Sequence, residues 1–377
     1  MTDFTGLYIH IPWCIKKCPY CDFNSHQKSA ELPENAYIEK LLQDFALDVN
    51  AYPRQSIQSI FIGGGTPSLL SANAYEKLFQ GLQALVPWDG HIEITLEANP
   101  GTIDFERFRD YRTVGINRLS IGVQSFQEKF LKTLGRIHDG QQATLALEKA
   151  HRAGFENINI DLMYGLPKQS VQEALLDLEI AVACDPNHIS WYELTIEPNT
   201  VFYKKPPEQP QEDTFIEIEE QGRAYLKEQG FHRYEISAYG KQNVFCHHNL
   251  NYWLFGDYYG IGAGAHSKLT LPSGKLLRQA KTRMPQSYLD AAPHFCAETR
   301  IIDSAQERMF EFMLNSCRLL EPISFVIFEK QTGLKRQELM PYLSKAQDLG
   351  FIQHDSHQWQ ITALGQRFNN EIIKLLL

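Results

Sequence analysis

The feature that most constrains the fold is an alternation of short apolar runs with amphipathic segments over the first two-thirds of the 377-residue chain. Six runs have the length and composition of buried strands: Leu7–Ile11, Ser59–Gly63, Ile92–Ala98, Leu119–Gln124, Ile158–Tyr164 and Ile189–Ile196. Helical periodicity follows most of them, at Ala36–Val49, Ala74–Leu85, Gln141–Ala153 and Val171–Ala183. Because parallel strands need long crossovers, repeated strand–helix units indicate a parallel sheet. We therefore predict an α/β protein built on a partial (β/α)6, TIM-like barrel, with functional residues at the carboxyl ends of its strands. A flat doubly wound sheet is the alternative.

The composition of the chain changes twice after these units. A Pro-rich loop at Lys204–Asp213 and a predicted helix at Thr214–Gln229 end the first part, and the following section is rich in Tyr, Gly and His. From about residue 297, short helical segments with a small hairpin between the last two have the order of a winged helix. We predict three units: a barrel at 1–230, an aromatic and His-rich extension at 231–296, and a winged-helix-like domain at 297–377.

Charge and hydropathy limit the class of protein. The formal net charge is −9, whereas binding to a phosphate backbone needs a basic surface. Residues 300–377 carry nine Lys or Arg and nine Asp or Glu, so we expect a protein-contact module rather than a DNA-binding regulator. No stretch has the roughly 20 apolar residues of a membrane span, and the start "MTDFTGLYIH" lacks the order of a secretory signal. We expect a cytoplasmic protein with no integral membrane segment and no nucleic-acid partner.

The segment "HIPWCIKKCPYCDFNSH" places three of the seven cysteines, Cys14, Cys18 and Cys21, on a polar loop after the first predicted strand. Cytoplasmic thiols stay reduced, so clustered cysteines indicate metal or redox chemistry rather than disulfides. Three thiolates can hold three corners of a [4Fe–4S] cube and leave one iron open. A closed zinc site needs a fourth ligand, which His10 or His26 could supply. The spacing alone leaves both metal centres open, while the polar loop disfavours ordinary buried cysteines.

Glycines and polar residues stand where other predicted strands end. Gly63–Gly65 follow the second strand, and without Cβ atoms they allow a ligand to approach the backbone closely. A simple tight turn is the other explanation. Glu97, Gln124 and Asp161 lie at or near the ends of three successive strands, where side chains converge at one edge of a parallel sheet. Any one of them could merely cap its strand, but three together favour a ligand pocket.

The segment Phe245–His266, "FCHHNLNYWLFGDYYGIGAGAH", combines metal-binding and aromatic side chains. Cys246, His247 and His248 are potential iron ligands, and flat apolar faces come from Tyr252, Trp253, Phe255, Tyr258 and Tyr259. Heme needs a His or Cys axial ligand and apolar walls, so this segment is a candidate heme site. An aromatic loop packed against the sheet, with hydrogen-bonded histidines, is the alternative. The remaining cysteines stand singly in helix-like contexts and are predicted core residues: Cys184, Cys296 and Cys317.

Several stretches together resemble the radical S-adenosylmethionine (SAM) proteins, and within them the coproporphyrinogen-dehydrogenase-like branch. They are "LYIHIPWCIKKCPYC", "IFIGGGTPSLL", "EANPGT", "GINRLSIGVQSF", "LGRIH" and "DLMYGLP". The resemblance covers essentially the whole chain. It implies a [4Fe–4S] cluster on the three clustered cysteines, with SAM chelated at the open iron. It also implies SAM contacts from Tyr8, Gly64, Gly65, Thr66, Glu97, Gln124, Arg136 and Asp161. Tyr20 matches a residue of a second SAM site in this branch, so the number of SAM molecules that bind, one or two, is left open.

Two further features bear on activity within that branch. "HNLNYW" is similar to an HNxxYW sequence associated with heme binding in the heme chaperones of the branch, which implies roles in heme binding for His248, Tyr252 and Trp253. The porphyrin-forming enzymes carry a further cysteine where this chain has Phe23. The resemblance therefore implies a heme chaperone that delivers heme to acceptor hemoproteins. The alternative is an oxygen-independent coproporphyrinogen III dehydrogenase, an activity that we do not expect. SAM cleavage and a homodimer are left open.

Overall fold

The computed structural model describes residues 4–28, 31–88 and 90–377. Its strands in chain order are β1 (Thr5–Ile11), β2 (Trp13–Cys14), β3 (His26–Gln27), β4 (Ser59–Gly64), β5 (Glu93–Ala98), β6 (Arg118–Gln124), β7 (Asn157–Tyr164), β8 (His188–Glu193), β9 (Phe231–Arg233), β10 (Ala238–Lys241), β11 (Asp257–Ile261), β12 (His266–Thr270), β13 (Leu276–Lys281), β14 (Cys296–Ile302), β15 (Ile323–Ser324), β16 (Ile352–His354) and β17 (Gln358–Ile361). Its α-helices are α1 (Glu34–Ala51), α2 (Ala72–Leu85), α3 (Phe105–Thr113), α4 (Glu128–Thr133), α5 (Gly140–Arg152), α6 (Val171–Ala183), α7 (Val201–Lys204), α8 (Glu212–Glu228), α9 (His247–Trp253), α10 (Pro285–Leu289), α11 (Ala305–Ser316), α12 (Phe325–Thr332), α13 (Arg336–Asp348), α14 (Ala363–Arg367) and α15 (Asn369–Lys374). Short 3-10 helices lie at Pro67–Leu69 and Pro100–Thr102.

The main sheet confirms the predicted α/β class. Hydrogen bonding orders its strands β14–β13–β12–β11–β1–β4–β5–β6–β7–β8–β10–β9. Every neighbouring pair from β11 to β8 is parallel. The six predicted strands therefore lie side by side in chain order, whereas a doubly wound sheet would reverse its order at a switch point. This order fits the partial barrel and not the doubly wound alternative.

Burial on both faces explains why these strands read as apolar runs rather than as alternating patterns. In β6, six of the seven residues are buried, and in β1 Tyr8 is the one residue that is only partly buried. Helices cover parallel strands on the outside, and side chains fill the inside, so polar alternation is lost.

The helices have clear start signals, since α5 and α6 begin with capping boxes built on Asp139 and Gln142, and on Ser170 and Glu173.

The sheet continues beyond the six predicted strands on both sides. On one side β11 pairs in parallel with β1, and the antiparallel strands β12, β13 and β14 follow it. On the other side β10 pairs antiparallel with β8, and β9 pairs antiparallel with β10. Residues 231–302 thus supply strands to the same sheet as the barrel. The ranges 1–230, 231–296 and 297–377 stay a prediction as domain boundaries.

The C-terminal part has its own apolar core. A second cluster of buried side chains includes Phe312, Phe328 and Trp359 and draws largely on residues 302–376. Strands β15, β17 and β16 form a small antiparallel sheet, and the β16–β17 hairpin stands between α13 and α14. Helices α11 to α13 followed by this hairpin give the order expected of a winged helix. Among the described residues, no helix combines the length and the apolar composition needed to cross a bilayer.

Candidate functional site

The three clustered cysteines lie on a loop that follows β1, and we call residues 14–25 the cluster loop. Lys17 Nζ closes it by donating to the carbonyl oxygens of Phe23 and Ser25 at 3.2 and 3.1 Å. All three thiols are free and line one cavity of about 630 Å³. Burial raises the pKa of both Cys14 and Cys21. A bound metal centre would therefore have to supply the charge that stabilises their thiolate forms.

The histidines near the loop are committed to other partners. His10 Nδ1 hydrogen-bonds with the Tyr8 hydroxyl, and His10 Nε2 with the carbonyl oxygen of Asn24, both at 2.9 Å. His26 Nε2 lies 3.3 Å from the Asn24 side-chain oxygen. Across the described ranges, no three His, Cys, Asp or Glu side chains converge on one metal-ion position. Because both nitrogens of His10 are used within the protein, the arrangement favours the cluster hypothesis over a zinc site closed by that residue.

The glycine run after β4 lies directly beneath the cluster loop. Gly65 N–H donates to the Ile11 carbonyl, and Thr66 N–H donates to the Trp13 carbonyl, each at 2.7 Å. A Cβ at Gly65 would stand 2.5 Å from the Trp13 carbonyl oxygen, and Gly64 has a φ of +114°. The absence of a side chain is therefore needed first for the loop to approach the strand. Gly64, Gly65 and Thr66 also line the cavity, as the ligand hypothesis requires.

Two carboxyl groups face the cavity opposite the cysteines. Glu97, at the end of β5, accepts a hydrogen bond from Gly64 N–H at 3.1 Å, and no cation in the described ranges forms an ion pair with it. Burial, and then the charge of Asp161, raise the pKa of Glu97 to about 8. Asp161 accepts hydrogen bonds from Ser120 at 3.0 Å and Asn159 at 2.8 Å, while burial raises its pKa. The charge of Arg118 partly offsets this rise for Asp161, whereas no cation in the described ranges acts in this way on Glu97, so the Glu97 carboxyl suits a positively charged ligand.

A guanidinium group lies between these carboxyls and the cysteines. Arg136 Nη2 donates to the Gly122 carbonyl at 2.5 Å, and its Nη1 lies 3.8 Å from Cys18 Sγ. Its Nε is buried without a hydrogen-bond partner among the described residues. Gln124 has a φ of +70° and accepts a hydrogen bond from the Tyr192 hydroxyl at 2.7 Å. The buried Nε and the nearby thiol make Arg136 suited to an anionic group in the same cavity.

The two predicted tyrosines occupy different places. Tyr20 lines the cavity with the cysteines, and its ring packs 6.4 Å from that of Phe202. Tyr8 instead lines a second cavity of about 720 Å³ on the other side of the cluster loop, and its ring stacks on Phe61 at 6.4 Å. The structure thus gathers every predicted cluster and SAM residue except Tyr8 around one cavity.

The predicted heme segment is a helix, α9, rather than a loop. His248 is completely buried, with Nδ1 2.8 Å from the Ser59 hydroxyl and Nε2 2.8 Å from the Tyr252 hydroxyl. Burial lowers its pKa to about 3, with a further contribution from Arg118. Trp253 packs under the Arg318 guanidinium at 4.3 Å. Both ring nitrogens of His248 are thus hydrogen-bonded within the protein, as the packing alternative expects, and its role as a heme ligand stays a prediction.

The residue before His248 has the opposite exposure. The His247 side chain is exposed, whereas Cys246 is fully buried and burial raises its pKa to about 12. Glu93 accepts the backbone N–H groups of His247 and His248 at 2.9 and 3.3 Å, and so holds the start of α9 at the beginning of β5. The helix therefore packs against the end of the sheet opposite the cluster loop.

Some residues of the cysteine cavity were not predicted from the sequence. Tyr192 stands near the end of β8, where the strand-end rule could have found it. Arg318 comes from the segment after α11 and Ser237 from the turn between β9 and β10. No local pattern marks these two, because their place depends on how distant segments pack.

Comparisons with known proteins identify the family of the chain. The model of the Radical SAM superfamily matches residues 8–179, and that of the HemN C-terminal domain matches residues 303–368. A protein of Escherichia coli (strain K12) named heme chaperone HemW is 48% identical over 372 residues, which cover 99% of this chain and 98% of that protein. Its namesake from Bacillus subtilis (strain 168) is 32% identical over 381 residues, which cover 98% of each chain.

A solved structure extends the likeness to the fold. Coproporphyrinogen III oxidase (HemN) from Escherichia coli, a radical SAM enzyme, matches with a TM-score of 0.83 at 21% identity, over 100% of this chain and 90% of that one. At that identity the likeness concerns the fold alone. The full-length identity to the two bacterial proteins confirms the predicted branch, and the chain belongs to the HemW family of heme chaperones within the radical SAM superfamily.

Proposed function

We propose that the protein is a cytoplasmic heme chaperone that binds a [4Fe–4S] cluster, SAM and heme, and passes heme to acceptor hemoproteins. The observation that carries the proposal is the full-length identity of 48% to a protein named heme chaperone, with almost no residues of either chain left uncovered. A relation over the whole length includes the barrel, α9 and the C-terminal domain. It therefore supports a shared function better than a likeness confined to the barrel would.

The cysteine cavity supports binding of the cluster and SAM. Cys14, Cys18 and Cys21 would hold three irons, and a bound cluster would supply an open iron for the amino and carboxylate groups of SAM. Glu97 and Asp161 line the cavity; the raised pKa of Glu97 leaves it largely protonated at neutral pH without a ligand, and a cationic group of SAM would favour its ionised form. Arg136 and the Gly64–Thr66 backbone, with Gln124 and Tyr20, complete the proposed contacts.

Position 23 supports the chaperone over the dehydrogenase. Phe23 is 60% exposed and stands between the cysteine cavity and the cavity that Tyr8 lines. A phenyl ring cannot exchange a proton or a hydrogen atom as a thiol can. The position thus offers an apolar wall in place of a reactive group.

The experiment offers two substrates to the same anaerobically purified, cluster-loaded protein. With hemin we expect a Soret band and transfer of that band to a heme-free acceptor protein. With coproporphyrinogen III, SAM and a reductant we expect no protoporphyrinogen IX. Turnover of about one per second or faster, without a hemin band, would show the protein to be the dehydrogenase. Light scattering on the same samples would decide between a monomer and a homodimer.

A further inference from the structure

The interior of the barrel holds a line of buried polar residues that joins the cysteine cavity to the start of α9. The line begins at Asp161, which reaches the cavity from the middle of β7, and ends at Cys246, the residue before α9. Asn159, His188 and Tyr234 lie between them, and all three are buried. Hydrogen bonds connect each of these residues to the next, as is usual for buried polar groups. We call these five residues the barrel chain.

The side-chain amide of Asn159 fixes the direction of the first bonds. Its Nδ2 donates to Asp161 Oδ1 and to Ser120 Oγ, both at 2.8 Å. Its Oδ1 accepts at the other end, from His188 Nδ1 at 2.6 Å. Burial, and then the charge of Arg118, lower the pKa of His188 well below its usual range. The ring is therefore neutral, with its proton on Nδ1 and a lone pair on Nε2.

The bonds keep the same direction as far as α9. The Tyr234 hydroxyl donates to His188 Nε2 at 2.9 Å. The Tyr234 oxygen in turn accepts the backbone N–H of Cys246 at 3.2 Å. Every donor of the barrel chain thus points toward Asp161, and in such a chain each bond polarises the next.

The far end of the barrel chain holds the start of a short helix. The Cys246 side chain does not cap α9, although the N–H groups at a helix start need acceptors. Tyr234 supplies an acceptor for the N–H of Cys246, and Glu93 supplies one for His247 and His248. The start of α9 is therefore fixed from inside the barrel.

His248 belongs to this fixed segment and has a predicted role as a heme ligand. Its Nδ1 lies 2.8 Å from the Ser59 hydroxyl, and its Nε2 lies 2.8 Å from the Tyr252 hydroxyl. An iron binds an imidazole nitrogen through a free lone pair, so His248 has to leave one of these partners before it can bind iron. A looser start of α9 makes this release easier.

From these contacts we infer that the barrel chain couples the two sites: a SAM group that binds Asp161 loosens the start of α9 and so releases His248 for heme. A donor or cation beside Asp161 takes up part of the charge of the carboxylate. This weakens the polarisation of the chain and, at its end, the bond from Cys246 N–H to Tyr234. His188 and Tyr234 are the positioning residues of this coupling. The inference rests on the proposed function, because it gives SAM a role in regulating the heme segment.

Hydrogen exchange followed by mass spectrometry on cluster-loaded protein tests the coupling without heme. Added SAM should speed exchange at residues 245–250 by about fivefold or more, the lower end of usual allosteric coupling. Exchange in α13 of the C-terminal part should not change. Asp161→Asn removes the charge at the head of the barrel chain and should give the faster exchange without SAM.

Two tyrosine variants show whether the effect passes through the barrel chain. Tyr234→Phe removes only the hydroxyl, and should exchange fast at residues 245–250 with no further change on adding SAM. The matched control is Tyr259→Phe, which removes another buried hydroxyl, bonded to the Tyr52 carbonyl, and should respond to SAM like wild type. In hemin titrations SAM should tighten binding by about fivefold in wild type and leave it unchanged in Tyr234→Phe.

The outcomes separate this inference from the proposed function. If SAM binds, as measured by equilibrium dialysis, and exchange at residues 245–250 stays the same, the coupling is refuted. A full SAM response in Tyr234→Phe, or unchanged exchange in folded Asp161→Asn, also overturns it. If wild-type protein gives no hemin band, the proposed heme chaperone function fails, while the exchange measurements still decide the coupling.

Discussion

Replacing Glu97 by Gln should remove a pH dependence from the stability of the ligand-free protein. The Glu97 carboxyl lies in the cysteine cavity, where burial and then Asp161 raise its pKa from 4.5 to about 8. The hydrogen bond from Gly64 N–H acts in the opposite direction and is the weaker influence. The folded protein therefore binds a proton at Glu97 at pH values where the unfolded chain has released it. Glutamine keeps the shape of the side chain and cannot titrate.

The sign and size of the effect follow from proton linkage. Because the folded state holds the extra proton, the free energy of unfolding falls as pH rises from 4.5 toward 8 and is constant above that. Other groups also titrate between pH 6.5 and 8: histidines whose pKa is lowered by burial in the folded state still release protons from the unfolded chain, which raises stability with pH, and Asp48 and Asp177, near 6, complete their ionisation. Wild type and Glu97→Gln share these contributions, so the contribution of Glu97 is the difference between the two proteins. One group then changes stability by about 1.4 kcal/mol per pH unit, or at most about 2 kcal/mol over this interval.

The measurement is the urea midpoint of ligand-free protein at pH 6.5 and pH 8 under reducing, anaerobic conditions. Relative to that of Glu97→Gln, the wild-type midpoint should fall between these pH values. The control is Glu76→Gln, an exposed glutamate on α2, which should show the wild-type slope. An equal slope in wild type and Glu97→Gln would refute the reasoning, because the buried carboxyl would then not be the titrating group.

Three further predictions concern the cluster loop and its supports. Replacing Cys14, Cys18 or Cys21 singly by Ala should abolish a stable cluster. Iron and sulfide analysis and EPR would show the loss. Matched controls that should keep full iron are alanine variants of Cys184, Cys296 and Cys317. Lys281→Met leaves the buried carboxylates of Asp44 and Asp48 unpaired and should lower the free energy of unfolding by about 3–5 kcal/mol. The control Lys275→Met breaks an exposed ion pair with Asp303 that is worth about 0–1 kcal/mol. Equal urea midpoints for the two variants would contradict this prediction. Gly64→Ala should lower cluster occupancy, since its Cβ would lie 2.5 Å from the His10 ring, and wild-type iron content would show that the loop adjusts.

The barrel strands were predictable because each is a local pattern. The runs Ile92–Ala98 and Ile158–Tyr164 differ from β5 and β7 by one residue at their starts. The predicted run ending at Ile196 extends past β8, which ends at Glu193, since apolar residues also occur in the turn that follows. Helix α3 was not predicted, and its segment is too polar to show an apolar stripe. The position of β11 beside β1 depends on residues about 250 apart and has no local signal.

The candidate site was predictable to a similar degree. Glu97, next to last in β5, and Gln124, the last residue of β6, share a cavity with the cysteines, because parallel strands end at one edge. Asp161 reaches the same cavity from the middle of β7 and not from its predicted position near the strand end. Tyr8 breaks the pattern, since its side chain lies on the strand before the loop and faces the second cavity. The two hydrogen bonds of His248 could not be predicted, because its partner Ser59 is 189 residues earlier in the chain. Such contacts are fixed only when distant segments pack together.

The pairing of β1 with both β4 and β11 has a consequence for synthesis on the ribosome. Ile9 pairs with Ile62 on one side and with Ile261 on the other. At about 5–20 residues per second, the 189 residues between Ser59 and His248 take about 10–40 s to translate. During that interval one edge of β1 has no neighbour, and α9 and the strands β11, β12 and β13, which also line the second cavity, do not yet exist. The cluster loop is complete throughout this time, so its thiols can meet iron–sulfur assembly proteins on the nascent chain before the second cavity forms.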